Sequence, residues 1–145
     1  MPIAIPWHGL LVGAGAAQLI LVVASLAIPR LLNWKGDLAK LRPLTRQVFW
    51  TYAAYIWVTN LSFGLLSTMT PQLLLDRSPL AGFVCSFIAV YWAARVVIQF
   101  AYFDRTDAPK GLFFVLAETA LVTLFVGLTM VYGGLVARAF GALGR

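Results

Sequence analysis

Two ionisable side chains lie within the long apolar stretches of this 145-residue chain, and they are its first candidates for chemistry. Arg95 follows the uncharged run 78–94, and Glu118 precedes the uncharged run 119–137. A charge at the centre of a membrane-spanning helix costs at least about 2.5–3.5 kcal/mol, so such residues are functional candidates. Arg95 could hold an anionic or carbonyl group of a ligand, with Glu118 as its counter-charge.

The two charged residues are expected at the same depth. Arg95 and Glu118 lie almost equally far along the chain from Asp107, which sits in the short polar segment between their two stretches. In an antiparallel helical hairpin both would reach about 11–12 Å into the hydrocarbon, at about 1.5 Å per residue. We predict that they form a salt bridge or share a small polar pocket.

Other polar side chains at membrane depth extend this candidate site. Trp92 and Gln99 share a helical face with Arg95, and the other apolar stretches each carry at least one polar residue. Lipid penalises exposed polar groups, so we expect them to converge inside a bundle, toward its cytoplasmic half. The predicted ligand-binding residues are Arg95, Glu118, Gln99, Trp92, Asn60, Gln18 and Tyr55. The alternative is that they only hold the helices together.

The composition indicates that membrane helices position these residues. Hydrophobic residues make up 61% of the chain and charged residues 11%, against about 45–50% and about 25% in soluble domains. A soluble fold of this size could not hide that much apolar surface. The apolar runs suit helices of about 20 residues and lack the alternation of barrel strands.

We therefore predict an all-α membrane protein, a four-helix antiparallel transmembrane bundle with up-down-up-down topology. A single domain would cover residues 1–145, with spans at about 9–31, 47–69, 79–103 and 111–137. No Lys or Arg precedes Arg30, so the first span is expected to be a retained helix and not a signal peptide. Gly9, Gly13 and Ala17 form a small-residue stripe on it, which we expect to pack within the chain rather than in a dimer.

The basic residues predict the orientation and one partner. The chain has a net charge of +6, and most Lys and Arg lie in the first and third connections. The positive-inside rule places these connections in the cytoplasm, so both termini would lie outside the plasma membrane. Lys35, Lys40, Arg42 and Arg46, in the basic connection 32–46, are predicted to contact anionic headgroups, at about 1 kcal/mol each.

The same connection allows two structural interpretations. Trp34, Leu38, Leu41 and Leu44 form an apolar stripe at helical spacing, which favours a short helix in the inner membrane interface. Gly36 and Pro43 argue against a helix, so an ordinary positively charged loop is the alternative.

The sequence lacks the residue sets of most catalytic and metal sites. His8 is the only histidine and Cys85 the only cysteine, which excludes a bis-histidine haem within one chain and an internal disulfide. There is no Ser-His-Asp set, Gly-rich phosphate loop or nucleic-acid motif. Cys85 is predicted to be a buried small apolar residue. We expect no cofactor, no metal and no nucleic-acid partner.

These observations favour a non-enzymatic structural or accessory subunit of a homo- or hetero-oligomeric membrane assembly. Its partner would be a second copy of the chain or a larger membrane protein. The alternative is a small transporter or a protein that binds a lipid-soluble ligand at Arg95 and Glu118. An enzyme acting on lipid or quinone is a third hypothesis, with no catalytic residue identified.

Overall fold

The computed structural model describes residues 5–103, 106 and 110–143, and every regular element in them is a helix. The four long helices are α1 (Trp7–Ser25), α4 (Pro43–Met69), α6 (Pro79–Ala101) and α7 (Leu112–Leu143). Three short helices, α2 (Ile28–Leu31), α3 (Trp34–Ala39) and α5 (Pro71–Leu75), lie between them. The predicted all-α class is confirmed, whereas the polar turn predicted at 104–110 lies mostly outside the described residues.

Proline positions explain several helix boundaries. The predicted first span, 9–31, was too long at its carboxyl end, because α1 stops at Ser25. Pro29 lacks an N–H donor and its ring would clash with the carbonyl four residues earlier, which is that of Ser25. Pro43 begins α4 four residues before the predicted start at residue 47, since proline is favoured in the first turn of a helix.

Among the described residues, three helices are long and apolar enough to cross a membrane, namely α1, α6 and α7. The other long helix, α4, has 27 residues and matches the predicted span 47–69 in position. This helix is less apolar than the other three, because polar residues such as Thr51, Thr59 and Asn60 lower its mean hydropathy. The fourth crossing therefore stays a prediction.

The described residues form two compact units, one containing the residues up to Leu10 and those from Pro71 onward, the other residues 11–70. In the first unit α6 packs along α7, and the buried side chains recur at intervals of three and four residues. On α6 these are Ala81, Cys85, Ile88 and Trp92, and on α7 Phe125, Leu128, Tyr132, Leu135 and Ala139. This spacing is typical of two helices that pack along one continuous seam.

Close contacts join α6 and α7 near the start of α6 and the end of α7. A Cβ atom on Gly82 of α6 would lie 2.9 Å from Cζ of Phe140, so the glycine allows α7 to approach. The Trp7 ring occupies the space in which Gly134 would carry a Cβ atom. The Arg138 guanidinium carbon also lies 5.1 Å from the centroid of Trp7, a cation–π distance. The first turn of α1 is thus packed against α7.

The turn before α6 is held by Ser78. Its Oγ accepts a hydrogen bond from the Ala81 N–H at 3.1 Å, which caps the helix as the Ser78-Pro79 pair indicates. The Ser78 N–H donates to Asp76 Oδ1 at 2.8 Å. This backbone hydrogen bond, followed by that of the Ser78 hydroxyl, lowers the pKa of the exposed Asp76 carboxyl from its ordinary value.

In the second unit α1 and α4 touch through two glycines. A Cβ atom on Gly15 would lie 2.9 Å from Ser67 Cβ and 3.0 Å from the Gly64 carbonyl oxygen. By contrast, a Cβ atom on Gly9 or Gly13 would have no neighbour within 4 Å. The predicted stripe was Gly9, Gly13 and Ala17. Within the second unit the glycine that meets α4 is Gly15 and not Gly13, because the rotation of α1 turns Gly15 toward α4.

The glycine contact predicts different effects for two neighbouring substitutions on α1. Gly15→Ala would force the helices apart, and we expect a loss of about 1–3 kcal/mol in the free energy of unfolding. Gly13→Ala adds a methyl group in open space and should leave stability unchanged or slightly raised, since alanine favours helix over glycine. Thermal unfolding of both variants in detergent micelles measures this. Equal stability of the two variants would contradict the contact.

Candidate functional site

The candidate site begins where the seam of the α6–α7 hairpin becomes polar. On α6 the buried positions end at Trp92, and the same three- and four-residue spacing continues to Arg95 and Gln99. On α7 Glu118 lies seven residues before the buried Phe125, on the same side of the helix. Arg95, Gln99 and Glu118 are all half-buried. They therefore lie along the helix contact and not on its outer surface.

Glu118 binds Gln99 in the structure. The Gln99 amide Nε2 donates to Glu118 Oε1 at 3.0 Å, across the two helices. Within the described residues the ion pair that forms is Lys40 with Asp37, and none joins Arg95 to Glu118. The predicted salt bridge is thus corrected, because the residue at the level of Glu118 is Gln99, one helical turn beyond Arg95. The shared polar pocket, which was the other option, stays a prediction.

Arg95 lies among aromatic rings. Its guanidinium carbon is 5.7 Å from the centroid of Phe103 and 5.8 Å from that of Phe125. These distances allow cation–π attraction, which grows stronger away from water. Among the described residues no acceptor receives a hydrogen bond from this guanidinium, so the rings are its only partners there.

Trp92 is the buried apolar residue next to these polar side chains. Its side chain is 1% exposed, and its ring stacks on Phe125 with centroids 5.2 Å apart and planes 25° from parallel. Phe125 therefore contacts both Trp92 and Arg95. We define the hairpin cluster as Trp92, Arg95, Gln99, Glu118 and Phe125.

Phe103 and Phe125 were not among the site residues predicted from the sequence. Phe125 could have been found, because it lies seven residues after Glu118 and seven residues correspond to nearly two helical turns. Phe103 lies two residues beyond the end of α6, where periodicity no longer applies. No sequence signal places its ring near Arg95.

The remaining three candidates belong to the second unit. Gln18 is fully buried on α1, and its Nε2 donates to the Ala14 carbonyl at 3.2 Å. Asn60 on α4 has a buried Oδ1 atom with no hydrogen-bond partner among the described residues. Tyr55, also on α4, is 65% exposed. The convergence of all seven candidate residues in one cluster stays a prediction.

Outside the hairpin cluster, the reactive side chains in residues 5–103, 106 and 110–143 form no second centre. Cys85 is a free, buried cysteine, as predicted, and its Sγ lies 4.0 Å from the Leu74 carbonyl oxygen. In the part of the chain that the structure describes, no group of three His, Cys, Asp or Glu side chains is placed to hold a metal ion.

The Gln99–Glu118 hydrogen bond predicts coupled effects of substitution. Gln99→Leu and Glu118→Leu should each destabilise the hairpin, but together by less than the sum, with a coupling energy of about 1 kcal/mol. A double-mutant cycle on unfolding in detergent measures this, with the exposed Thr123→Leu in place of Glu118→Leu as the control cycle. Additive effects of the Gln99 and Glu118 substitutions would show that the bond stabilises nothing.

The cluster combines one carboxylate, one amide and one guanidinium against two aromatic rings, a set that can hold helices together or bind an anionic group. It supplies no nucleophile with an adjacent base, which acyl transfer would need. No family model, curated protein or solved structure matches this chain.

Proposed function

We propose that the chain is a non-enzymatic integral membrane protein with four spans, which serves as a structural or accessory subunit of an oligomeric membrane assembly. The observation that carries this proposal is a pair of tyrosines on α4. Tyr52 is 64% exposed and Tyr55 is 65% exposed, one helical turn apart. Neither hydroxyl has a hydrogen-bond partner among the described residues.

The fourth span in this proposal is α4. It carries no Asp, Glu, Lys or Arg from residue 47 to residue 69, which is about 34 Å of helix. If α4 crosses, the connection between α1 and α4 lies on the same side as the connection between α6 and α7. These are the two basic connections, so the positive-inside rule favours the crossing.

The tyrosines differ from the other hydroxyl residues of α4. Ser62 Oγ donates to the Val58 carbonyl at 2.8 Å, and Thr51 Oγ1 donates to the Gln47 carbonyl at 2.9 Å. Such short side chains satisfy themselves on their own helix, whereas a tyrosine hydroxyl is too far from its backbone to do so. In hydrocarbon an unpaired hydroxyl is unfavourable, and a second polypeptide would supply the partner.

The occupant proposed for this surface is a second copy of α4. Tyr52, Tyr55, Thr59 and Ser62 lie within one side of the helix at three- and four-residue spacing. A two-fold axis along such a face brings equivalent hydroxyls together, and a hydroxyl can both donate and accept. A larger membrane protein that contributes polar side chains is the competing occupant.

The hairpin cluster supports the non-enzymatic part of the proposal. Glu118 is bonded to Gln99, and Arg95 is enclosed by Phe103 and Phe125. Polar groups that engage one another between helices favour a role in holding the hairpin together.

The oligomeric state of the purified protein tests the proposal. We expect the wild-type protein to form a dimer or larger species in nanodiscs. The Tyr52→Leu/Tyr55→Leu variant should be mostly monomeric, because the dissociation constant of its oligomer should be at least tenfold higher. Tyr102→Leu removes a tyrosine that is 81% exposed and lies beyond the end of α6, and it should leave the oligomer unchanged. Single-molecule photobleaching counts the subunits.

A wild-type protein that stays monomeric in nanodiscs and in native membranes would contradict self-association. Association that survives the double tyrosine substitution would move the interface away from α4. Co-purification with one defined membrane protein, lost on the same substitution, would replace the second copy by that partner.

A second candidate function, binding of a lipid-soluble ligand, is favoured by Arg95, whose guanidinium has no hydrogen-bond acceptor among the described residues. An anionic or carbonyl group of a ligand could supply one. We expect organic extracts of the wild-type protein to contain a compound that is lost from Arg95→Gln. Arg138→Gln, which also removes a guanidinium beside an aromatic ring, is the control. Identical extracts by mass spectrometry would exclude this function.

A further inference from the structure

A cleft in the second unit collects basic side chains from three helices. It has a volume of about 640 Å³ and lies between α2, α3 and the start of α4. Arg30 comes from α2, Lys35 from α3 and Arg46 from α4. The fold therefore brings three basic side chains from separate helices to the same cleft.

No carboxylate among the described residues balances the charge of this cleft. Asp37 is the only acidic residue between the start of the chain and Asp76, and its Oδ1 lies 3.4 Å from Lys40 Nζ. Among the described residues no carboxylate lies within ion-pair distance of Arg30, Lys35 or Arg46. Three cations in one cleft repel one another, so an anion between them is favourable.

The walls of the cleft are held in place by aromatic packing. The Trp34 ring meets Phe49 edge-on at 4.9 Å and Trp50 at 5.8 Å, which joins α3 to the first turns of α4. Leu38 of α3 is buried and also lines the cleft. Trp50 lines the cleft itself, and tryptophan is enriched where membrane meets water. The cleft therefore has an apolar wall beside its basic side chains.

The backbone before α3 adopts an uncommon conformation at a residue that lines the cleft. Asn33, another lining residue, has a φ of 50°, in the left-handed region that asparagine tolerates. Its Nδ2 atom would lie 2.8 Å from a Cβ atom on residue 36, where the chain has glycine. Gly36, which argued against a helix here, instead leaves room for the Asn33 side chain.

We propose that this cleft is a binding site for the oxyanion of a phosphate ester, supplied by the headgroup of an acidic phospholipid. Arg30, Lys35 and Arg46 surround the phosphate, and Pro29 and Trp50 contact the apolar part of the lipid. The predicted headgroup contacts were Lys35, Lys40, Arg42 and Arg46. The geometry adds Arg30, and it leaves Lys40 and Arg42 outside the cleft.

This inference rests on the membrane location in the proposed function but not on the subunit role. The volume of the cleft agrees with that of a small-molecule site, about 300–1,000 Å³. A soluble phosphate ester has the same oxyanion and is the other source of the ligand. The apolar wall distinguishes the two sources, because the acyl part of a lipid would contact it and a soluble phosphate ester would not.

The test compares two variants that lose the same charge. Lys35→Gln/Arg46→Gln removes two cations from the cleft, and Lys40→Gln/Arg42→Gln removes two cations beside it. Native mass spectrometry in detergent, with phosphatidylglycerol and phosphatidylcholine as probes, gives the dissociation constants. We expect phosphatidylglycerol binding to weaken roughly tenfold or more in the cleft variant and less than twofold in the control.

A second measurement uses the unaltered protein. Phosphatidylglycerol should raise its unfolding temperature in detergent, and phosphatidylcholine should not. Glycerol 3-phosphate and inorganic phosphate, added as competitors, distinguish the sources. If they displace the lipid only at a hundredfold or greater excess, the membrane lipid is the ligand. Displacement at equal concentration would overturn the lipid assignment in favour of a soluble phosphate ester.

Two results would overturn the site itself. Equal weakening in the two double variants would show that only the overall charge of the segment matters. Equal binding of phosphatidylglycerol and phosphatidylcholine to the unaltered protein would show that no anion is selected. Neither result depends on the oligomeric state, so failure of the site and failure of the subunit role are distinguishable.

Discussion

Hydrocarbon cannot hydrogen-bond a polar side chain, so each such group in a membrane helix needs a partner within protein or at the interface. This constraint accounts for the arrangement of the α6–α7 hairpin. Arg95, Gln99 and Glu118 continue the three- and four-residue spacing of the buried seam, which keeps them between the two helices. The Gln99–Glu118 hydrogen bond and the two phenylalanine rings beside Arg95 then complete the layer.

Close backbone approach supplies the rest of the packing. Membrane helices gain little from hydrophobic burial against one another, because lipid is equally apolar, so van der Waals contact at small residues matters more. Gly15 with Gly64, Gly82 with Phe140, and Gly134 with Trp7 are such contacts. In each contact the glycine lacks a Cβ atom, and a neighbouring group lies where that atom would be. The glycines that meet nothing, such as Gly13, are free of this constraint.

Charge is segregated along the chain for a related reason. The hairpin cluster contains one acidic and one basic residue, whereas the segment from α2 to the start of α4 contains five basic residues and one acidic residue. Outside the hydrocarbon a charge is tolerated without a protein partner, since water and lipid headgroups solvate it. Glu118 is satisfied within the hairpin, and in the arrangement that we propose Arg30, Lys35 and Arg46 are open to an external anion.

The sequence alone determined the helical class, the approximate positions of the long helices and the uncharged runs, because these depend on local composition and on the position of prolines such as Pro79. It also placed Arg95, Gln99 and Glu118 near one another, since hairpin register follows from chain length. Tertiary structure decided that Glu118 binds Gln99 and not Arg95, that Gly15 and not Gly13 meets α4, and that Arg30 joins the basic cleft. These choices depend on how each helix is rotated about its axis, and a rotation of one residue is about 100°. Packing against a neighbouring helix settles that rotation, and no local sequence pattern specifies it.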